Sequence, residues 1–357
     1  MRLRELQSLE LPATADFHVH LRQGDMMKLV TPTIRKGGVD TVYVMPNLTP
    51  PITTVARALE YKAELEAIDH SVKYLMSLFL HPDVTPEVIT EAAKAGISGV
   101  KLYPQGVTTN SENGVSTIED YFPVFTAMEK HDLVLNLHGE AVSGPPDLTL
   151  EEAFLPMLKK IHEAHPNLRI VLEHCSTKAA VAAVRACGPS VGATITAHHL
   201  FLTGDISRVN PHAFCKPIPK TPEDRDALLQ AVVSGDTKFF FGSDSAPHPL
   251  TAKTASQSPP AGVFTQPLAT QYVILALEEA TERGVVKEED VTQERLAQFL
   301  SLSGRKFYKL LHGEGEVPRI KLERKASRIP THIANEAGTL QVGLVRAETP
   351  IMSLSWV

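Results

Sequence analysis

The chain of 357 residues has few cysteines and no long apolar run. Its three cysteines, Cys175, Cys187 and Cys215, are odd in number and show no C-x-x-C spacing. A disulfide framework is therefore not expected, and a reducing compartment fits better. The N-terminal stretch MRLRELQSLELPA lacks the continuous apolar core of a signal peptide, and no segment approaches the length of a membrane span. We expect a cytoplasmic protein.

The sequence also lacks an excess of basic residues. Its formal net charge is −6, so it does not carry the positive footprint of a nucleic-acid-binding protein. A hydrophobic content of 43% and a charged content of 21% are ordinary for a globular protein that buries a substantial core. These properties favour chemistry on a small molecule, without a nucleic-acid or membrane partner.

Apolar runs and helical patterns alternate along the chain. Runs typical of strands lie at about residues 15–19, 40–45, 72–80, 97–102, 133–137, 168–173, 191–195 and 238–241. Between two of them, Thr85 as a cap, Pro86 in the first turn and Gly96 at the end predict a helix, and segments 148–165 and 177–188 look similar. Strands that alternate with helices imply a parallel sheet, and this number of strands predicts a closed α/β barrel, the (β/α)8 or TIM barrel.

Side chains suited to metal binding follow five of these runs. His18 and His20 form an H-x-H pair, and alternation along a strand points both imidazoles to the same side. The others are Lys101 in GVKLYP, His138 in LVLNLHGE, His174 in RIVLEHCS and Asp244 in KFFFGSDSAPH. Imidazole and carboxylate suit zinc and similar divalent ions. A doubly wound sheet would place its ligand at one switch point fed by few strands, whereas a closed barrel gathers all five strand ends.

Lys101 is the unusual member, because an ammonium ion cannot bind a metal. Burial among cations disfavours the charged form, and a neutral amine can add CO₂ to give a carbamate whose two oxygens can bridge two metals. The alternative is a lysine paired with a buried carboxylate. Spacing alone does not decide between the two.

The motifs HVHLR, GVKLYP, LNLHGE, LEHC and DSAPH together resemble the amidohydrolase superfamily, and within it the shorter, monofunctional class II dihydroorotases. MPNLTPPITT, KLYPQGVTTNSENGV, ITAHHLF and GSDSAPHP are also similar to that family, so the resemblance extends over nearly the whole chain. It implies a zinc-dependent enzyme of pyrimidine biosynthesis that interconverts N-carbamoyl-L-aspartate and L-dihydroorotate. We expect one domain over residues 1–357, with the segment beyond about residue 315 packed on the barrel as an extension.

The resemblance also implies a ligand set for two zinc ions, bridged by carboxylated Lys101 and a hydroxide. One zinc would take His18, His20, Asp244 and the Lys101 carbamate. The second would take His138, His174 and the other carbamate oxygen. Asp244 would also be the catalytic residue that carries the proton between the attacking oxygen and the leaving nitrogen.

Four further residues are candidate substrate contacts. Arg22, two positions beyond His20, faces the same way and can bind the substrate carboxylate bidentately. By resemblance, Asn47, His248 and Ala261 would be additional contacts. The structural alternatives are a surface salt bridge for Arg22, a turn residue for Asn47 and a loop histidine for His248.

Two long loops follow strands that carry proposed ligands. Loop 105–116, QGVTTNSENGVS, is small and polar, and we expect a mobile lid in which Thr108 and Thr109 donate hydrogen bonds to the substrate. Loop 247–267, PHPLTAKTASQSPPAGVFTQP, is rich in proline, serine and threonine. Each could instead be a solvated connection.

One position departs from the family pattern, and two functional alternatives stay open. The chain has Lys216 in FCKPIPK where bacterial members have leucine, and we interpret His198 and His199 as local structure or as residues that contact the metal ligands from behind. A hydantoinase or dihydropyrimidinase is one rival, although those relatives are longer and usually carry a β-sandwich domain. A catalytically silent dihydroorotase-like scaffold is the other, although such proteins typically lack ligands that this sequence keeps. The family suggests a homodimer.

Overall fold

The computed structural model describes residues 1–255, 258–310 and 316–357. The strands are β1 (Ser8–Pro12), β2 (Thr14–Val19), β3 (Val39–Val44), β4 (Lys73–Leu75), β5 (Ser77–Phe79), β6 (Gly99–Leu102), β7 (Val134–Leu137), β8 (Ile170–Leu172), β9 (Val191–Ile195), β10 (Phe239–Phe241), β11 (Arg319–Arg328), β12 (His332–Ala334), β13 (Gln341–Gly343) and β14 (Pro350–Trp356). The helices are α1 (Gly24–Val30), α2 (Thr33–Lys36), α3 (Val55–Ile68), α4 (Pro86–Lys94), α5 (Phe122–His131), α6 (Leu150–Ala164), α7 (Lys178–Ala186), α8 (Gly204–Val209), α9 (Pro222–Val232), α10 (Leu250–Thr254), α11 (Ala269–Glu282), α12 (Gln293–Ala297) and α13 (Ser303–Phe307).

The parallel strands β2 to β10 form the barrel. They hydrogen-bond in the order β2-β3-β4 and β5-β6-β7-β8-β9-β10. The third predicted strand is interrupted at Met76, which divides it into β4 and β5, and the Ser77 hydroxyl donates to the Val44 carbonyl across the break. Every predicted run contains a strand of this barrel, so the predicted (β/α)8 fold is confirmed.

The barrel closes where its last strand meets its first. The Asp244 amide donates to the His18 carbonyl at 2.8 Å, and the His20 amide donates to the Ser245 carbonyl at 3.0 Å. These two hydrogen bonds join the segment after β10 to the end of β2. The seam of the barrel therefore runs between residues that the sequence marks as metal ligands.

The helices on the outside begin and end at the predicted signals. The Thr85 side chain accepts from the Val88 amide at the start of α4, with Pro86 in the first turn, and Gly96 follows the helix with φ +76°. Thr149 and Glu152 form a reciprocal capping box on α6. Each such cap satisfies amide groups that have no partner inside the helix, which fixes the point where the helix starts.

Aromatic side chains fill the barrel below its polar end. Phe17 from β2 stacks on Tyr308, which follows α13, with ring centroids 4.7 Å apart, and it meets Phe240 from β10 edge-on. Gly304 permits this packing, because a Cβ atom there would lie 2.2 Å from the Phe17 ring. This apolar layer supports the polar side chains at the carboxyl ends of the strands.

The first and last strands of the chain form a separate antiparallel sheet in the order β1-β11-β14. Leu11 on β1 pairs with Ile320 on β11, and both are buried. The C-terminal strands thus pair with the strand that directly precedes the barrel, although a single domain over 1–357 stays a prediction. Within the described ranges, no helix is long and apolar enough to cross a membrane.

Candidate metal centre and substrate cavity

His18, His20 and Asp244 come together at the barrel seam. His20 Nε2 lies 3.1 Å from Asp244 Oδ1, and His18 Nε2 lies 3.4 Å from the same oxygen. One potential ligand atom from each side chain lies within 4.8 Å of the others, and all three residues are buried. The H-x-H pair therefore points both rings to one side, as the strand alternation predicts.

His138 and His174 extend this group along neighbouring strands. Their ring centroids are 4.7 Å apart, and the His174 ring is 5.0 Å from that of His18. Burial lowers the pKa of both rings below the ordinary histidine value, and it lowers the pKa of His20 to about 4. These rings are accordingly neutral, which is the form that binds metal ions.

Lys101, on β6, is fully buried beside these histidines. Among the described residues, none offers its Nζ a hydrogen-bond partner. Burial lowers the pKa of Lys101 to about 8, against the attraction of Glu173 and Asp244. Pairing with a carboxylate, the alternative interpretation of this lysine, finds no hydrogen bond to support it in the described ranges, and burial shifts the amine toward its uncharged form.

Polar partners on the far side of each ring orient the histidines at the seam. His18 Nδ1 lies 2.7 Å from Glu173 Oε2, and His20 Nδ1 lies 2.8 Å from Asn47 Oδ1. With Nδ1 engaged in these contacts, the Nε2 atom of each ring faces Asp244. A hydrogen bond to the second ring nitrogen is how proteins fix the tautomer and orientation of a metal-binding histidine.

Asp244 and Glu173 remain ionised although they are buried. Burial alone would raise the pKa of Asp244, but the hydrogen bond with His20 and the attraction of His18 hold it below the usual value. The pKa of Glu173 is likewise lowered despite burial, through its attraction to His18. Buried anions next to imidazole rings form a donor set that a divalent cation would neutralise.

A narrow cavity opens above the histidines. Its lining residues are His18, His20, Arg22, Asn47, Tyr103, Thr108, Thr109, His138, His174, Lys216, Asp244, Ala246, Ala261 and Gly262. The structure therefore brings the predicted substrate contacts to the cavity wall, except His248. Lys216, which departs from the bacterial pattern, is also part of the wall.

Arg22 and His248 form a hydrogen-bonded unit at the edge of the cavity. Arg22 Nε donates to the Pro247 carbonyl at 3.0 Å, and Arg22 Nη2 lies 3.2 Å from His248 Nε2. His248 Nε2 also lies 2.9 Å from the Ala261 carbonyl oxygen. His248 thus contacts two wall residues. Arg22 is held by a carbonyl and a ring nitrogen, and these contacts give no support to the alternative of a surface salt bridge.

Loop 105–116 packs over the cavity in this structure. The side-chain amide nitrogen of Asn47 donates to the Thr109 carbonyl at 3.2 Å, and the Thr109 hydroxyl donates to the Ala261 carbonyl at 3.4 Å. Asn47 therefore holds both His20 and the loop, beyond the substrate contact that the sequence suggests. Of loop 247–267, Ser256 and Gln257 lie outside the described residues.

Sequence reasoning missed several residues that shape this site. Glu173 orients His18, Glu140 Oε2 lies 3.0 Å from His138 Nε2, and Tyr103 lines the cavity. A carboxylate within two positions of a candidate ligand at a strand end is a signal that could have identified Glu140 and Glu173. Tyr103 shows no such signal in its sequence context.

Comparison with known proteins agrees with this geometry. The family model described as Amidohydrolase matches residues 64–271, which is more than half of the chain. The barrel and the histidine cluster at its seam accordingly define an amidohydrolase.

Individual relatives identify the family of amidohydrolases that the chain resembles in sequence and structure. A Schizosaccharomyces pombe protein named "Probable dihydroorotase" is 49% identical over 334 residues, covering 92% of this chain and 95% of the relative. The Saccharomyces cerevisiae dihydroorotase is 46% identical over 327 residues, covering 87% of each chain. A crystal structure of dihydroorotase from S. cerevisiae in complex with 5-fluoroorotic acid superposes with a TM-score of 0.89 and 41% identity, over 98% of this chain and 99% of the other. The chain belongs to the dihydroorotase family.

Proposed function

We propose that the chain is a zinc-dependent dihydroorotase that interconverts N-carbamoyl-L-aspartate and L-dihydroorotate in pyrimidine biosynthesis. The observation that carries this proposal is the convergence of metal-binding side chains from four strand ends on one cavity, with buried Lys101 from a fifth strand beside them. The 5-fluoroorotic acid in the S. cerevisiae dihydroorotase structure supports a carboxylated pyrimidine as the kind of ligand that enters the same cavity here.

Two zinc ions fit the donor set at the bottom of the cavity. We assign His18, His20, Asp244 and the carbamate of Lys101 to one zinc, and His138, His174 and the second carbamate oxygen to the other. The Nζ of Lys101 is buried and has no hydrogen-bond partner among the described residues, which supports the carbamate, since a neutral amine adds CO₂ and releases one proton. When bound, the metal pair lowers the pKa of a coordinated water to about 7 and polarises the amide carbonyl of the substrate.

Asp244 is the proposed proton carrier. In the hydrolytic direction its carboxylate accepts the proton of the attacking hydroxide and delivers it to the ring nitrogen as the C–N bond breaks. Its lowered pKa keeps the carboxylate ionised, which is the form that can act as a proton acceptor. Ring closure follows the same path in reverse, so the carboxyl group gives the proton back.

Arg22 is the proposed partner of the free carboxylate that substrate and product share. Its guanidinium lies at the cavity wall and is held in place by Pro247 and His248. Asn47, His248 and Ala261 are the further proposed contacts. A charge-assisted hydrogen-bonded pair of this kind selects an acidic pyrimidine over a neutral cyclic amide.

Loop 105–116 is the proposed lid, with Thr108 and Thr109 donating to the bound ligand. Both threonines already lie at the cavity wall. A lid closed over the ligand excludes water and holds carbamoyl aspartate in the folded conformation that ring closure needs.

Turnover of the purified protein tests the function against its rivals. We expect hydrolysis of dihydroorotate and cyclisation of carbamoyl aspartate, with two zinc ions per chain by elemental analysis. Preferred turnover of hydantoin or dihydrouracil would indicate the hydantoinase class instead. A well-folded protein without either activity would indicate a silent scaffold.

We further propose a homodimer, a cytoplasmic location and one domain over residues 1–357. Light scattering of the protein as it elutes from a sizing column measures the oligomeric state. Localisation of a tagged chain tests the cytoplasmic location. A single cooperative unfolding transition would support the third.

A further inference from the structure

Lys253, on the short helix α10, is a buried lysine whose ammonium group contacts backbone oxygens. Its Nζ donates to the carbonyls of Phe214 at 3.0 Å, Pro260 at 2.9 Å and Gly262 at 2.8 Å. Only 5% of the residue is exposed. An ammonium group has three N–H donors, so these carbonyls use its full capacity.

The three carbonyls belong to two separate segments of the cavity wall. Pro260 and Gly262 flank Ala261, and Phe214 lies two positions before Lys216. Both Ala261 and Lys216 line the cavity. The Gly262 amide also donates to the Phe214 carbonyl at 2.9 Å, so the two segments meet directly at the lysine.

Ala261 in turn is the contact point for the other parts of the site. Its carbonyl oxygen lies 2.9 Å from His248 Nε2, the ring that also contacts Arg22. The same oxygen accepts from the Thr109 hydroxyl on loop 105–116. A displacement of Ala261 would therefore disturb both the arginine at the cavity edge and the closed position of the loop.

We propose that Lys253 is a positioning residue for the substrate cavity. Its ammonium group sets the spacing between segments 214–216 and 260–262. Through Ala261 it also sets the position of loop 105–116, which covers the ligand. This inference rests on the proposed function only in naming the ligand. Without the cation, the buried Pro260 and Gly262 carbonyls would lose the donor that Lys253 supplies, and the Phe214 carbonyl would keep only the Gly262 amide. Leaving buried carbonyls with lost hydrogen bonds is unfavourable, so the segments would move apart.

The decisive variant is Lys253→Met, which keeps most of the aliphatic stem and removes the donors. We expect KM for dihydroorotate to rise by about tenfold or more, the scale for losing hydrogen bonds to a charged group, with kcat within a few-fold of the parent. Zinc content should stay at the parent value, because the Lys253 ammonium group donates to backbone carbonyls and not to the proposed metal ligands. Lys253→Gln, which keeps a shorter donor, should show a smaller rise.

Lys238 offers a matched control at the opposite end of the barrel. It precedes β10, and its Nζ donates to the carbonyls of Val184, Cys187, Gly188 and Val191. Lys238→Met also removes a lysine from a cluster of carbonyls, so it reports the general cost of such a loss. We expect it to leave KM unchanged.

Hydrogen exchange separates a failure of this inference from a failure of the proposed function. In Lys253→Met the Gly262 amide and the amides of loop 105–116 should exchange faster than in the parent, whether or not the protein turns over dihydroorotate. Unchanged exchange together with an unchanged KM would overturn the inference. An equal rise of KM in Lys238→Met would also overturn it, and should Lys253→Met fail to fold, Lys253→Gln decides by the same measurements.

Discussion

Two buried histidine clusters near the carboxyl ends of the strands differ in their surroundings. The first is His18, His20 and Asp244, and the second is His198, His199 and Cys215, which follow β9 in the chain. In both, one ligand atom from each side chain lies within 4.8 Å of the others. The first borders the cavity, whereas none of the three residues of the second is among its lining residues in the described ranges.

The clusters also differ in the groups that orient them and in their charge. Side-chain oxygens of Glu173 and Asn47 hold the first, but in the second the His199 ring lies between the backbone carbonyl oxygens of Cys175 and Pro217, each at 3.3 Å. Asp244 is anionic, while burial raises the pKa of the Cys215 thiol well above its usual value. Proximity of ligand atoms alone thus does not define a metal site; an anion and access from the cavity distinguish the first cluster.

Of the variants that test this comparison, Lys101→Ala should change zinc content and activity the most. Loss of the proposed carbamate would remove the bridge between the two metals, so the variant should lose at least one zinc and nearly all dihydroorotase activity. Elemental analysis and turnover of the same preparation measure both. Two zinc ions with parental turnover would contradict the bridging role.

Asp244→Asn should have the next largest effect, because it removes the anion that the second cluster lacks. We expect the fold and much of the zinc to remain while kcat falls by at least roughly 10²-fold, the scale for losing acid–base assistance. Steady-state kinetics with circular dichroism as the check on folding measure this. A kcat within a few-fold of the parent would exclude Asp244 as the proton carrier.

Glu173→Gln tests whether orientation of His18 matters. Residues that hydrogen-bond to metal-binding histidines typically contribute 10- to 100-fold in metal affinity. Glu173→Gln should therefore release zinc at a free zinc concentration that is higher than for the parent by about this factor. Glu151→Gln is the matched control, since Glu151 is also buried but contacts Ser176 and Thr177 instead. Equal zinc affinity in the two variants would mean that the carboxylate beside His18 does not tune the site.

Cys215→Ser should have the smallest effect. We expect parental zinc content and turnover, because the thiol of the second cluster stays protonated. Cobalt-substituted parent protein should likewise lack the thiolate-to-metal absorption band that a cysteine ligand produces. A thiolate band that disappears in Cys215→Ser would show that the second cluster does hold a metal.

The sequence allowed the barrel and the proposed ligands to be predicted because both depend on local patterns. Apolar runs identify the strands, and polar side chains directly after those runs identify the strand ends that meet in a barrel. His18, His20 and Asp244 converge as expected on that basis.

What could not be predicted depends on partners distant in the chain. Lys253 bonds to a carbonyl of Phe214, 39 residues away, and nothing around either residue indicates the other. Asn47 looks like a turn residue or a substrate contact, yet its amide joins His20 to Thr109. The break at Met76 within the third strand was also missed, because a continuous apolar run does not reveal where pairing between neighbours is interrupted.

The position of the barrel seam has a consequence for biosynthesis of the protein. His20 and Asp244 lie 224 residues apart in the chain and meet only when the last barrel strand docks on the first. Such distant pairing is assembled late, since the long loop must close before the contact contributes. If the proposed ligand set holds zinc, capture of the metal by the complete set would follow the docking of the last barrel strand. A nascent chain still lacking β10 can build neighbouring strands in sequence, but it has only part of the donor set to offer the cellular metal pool.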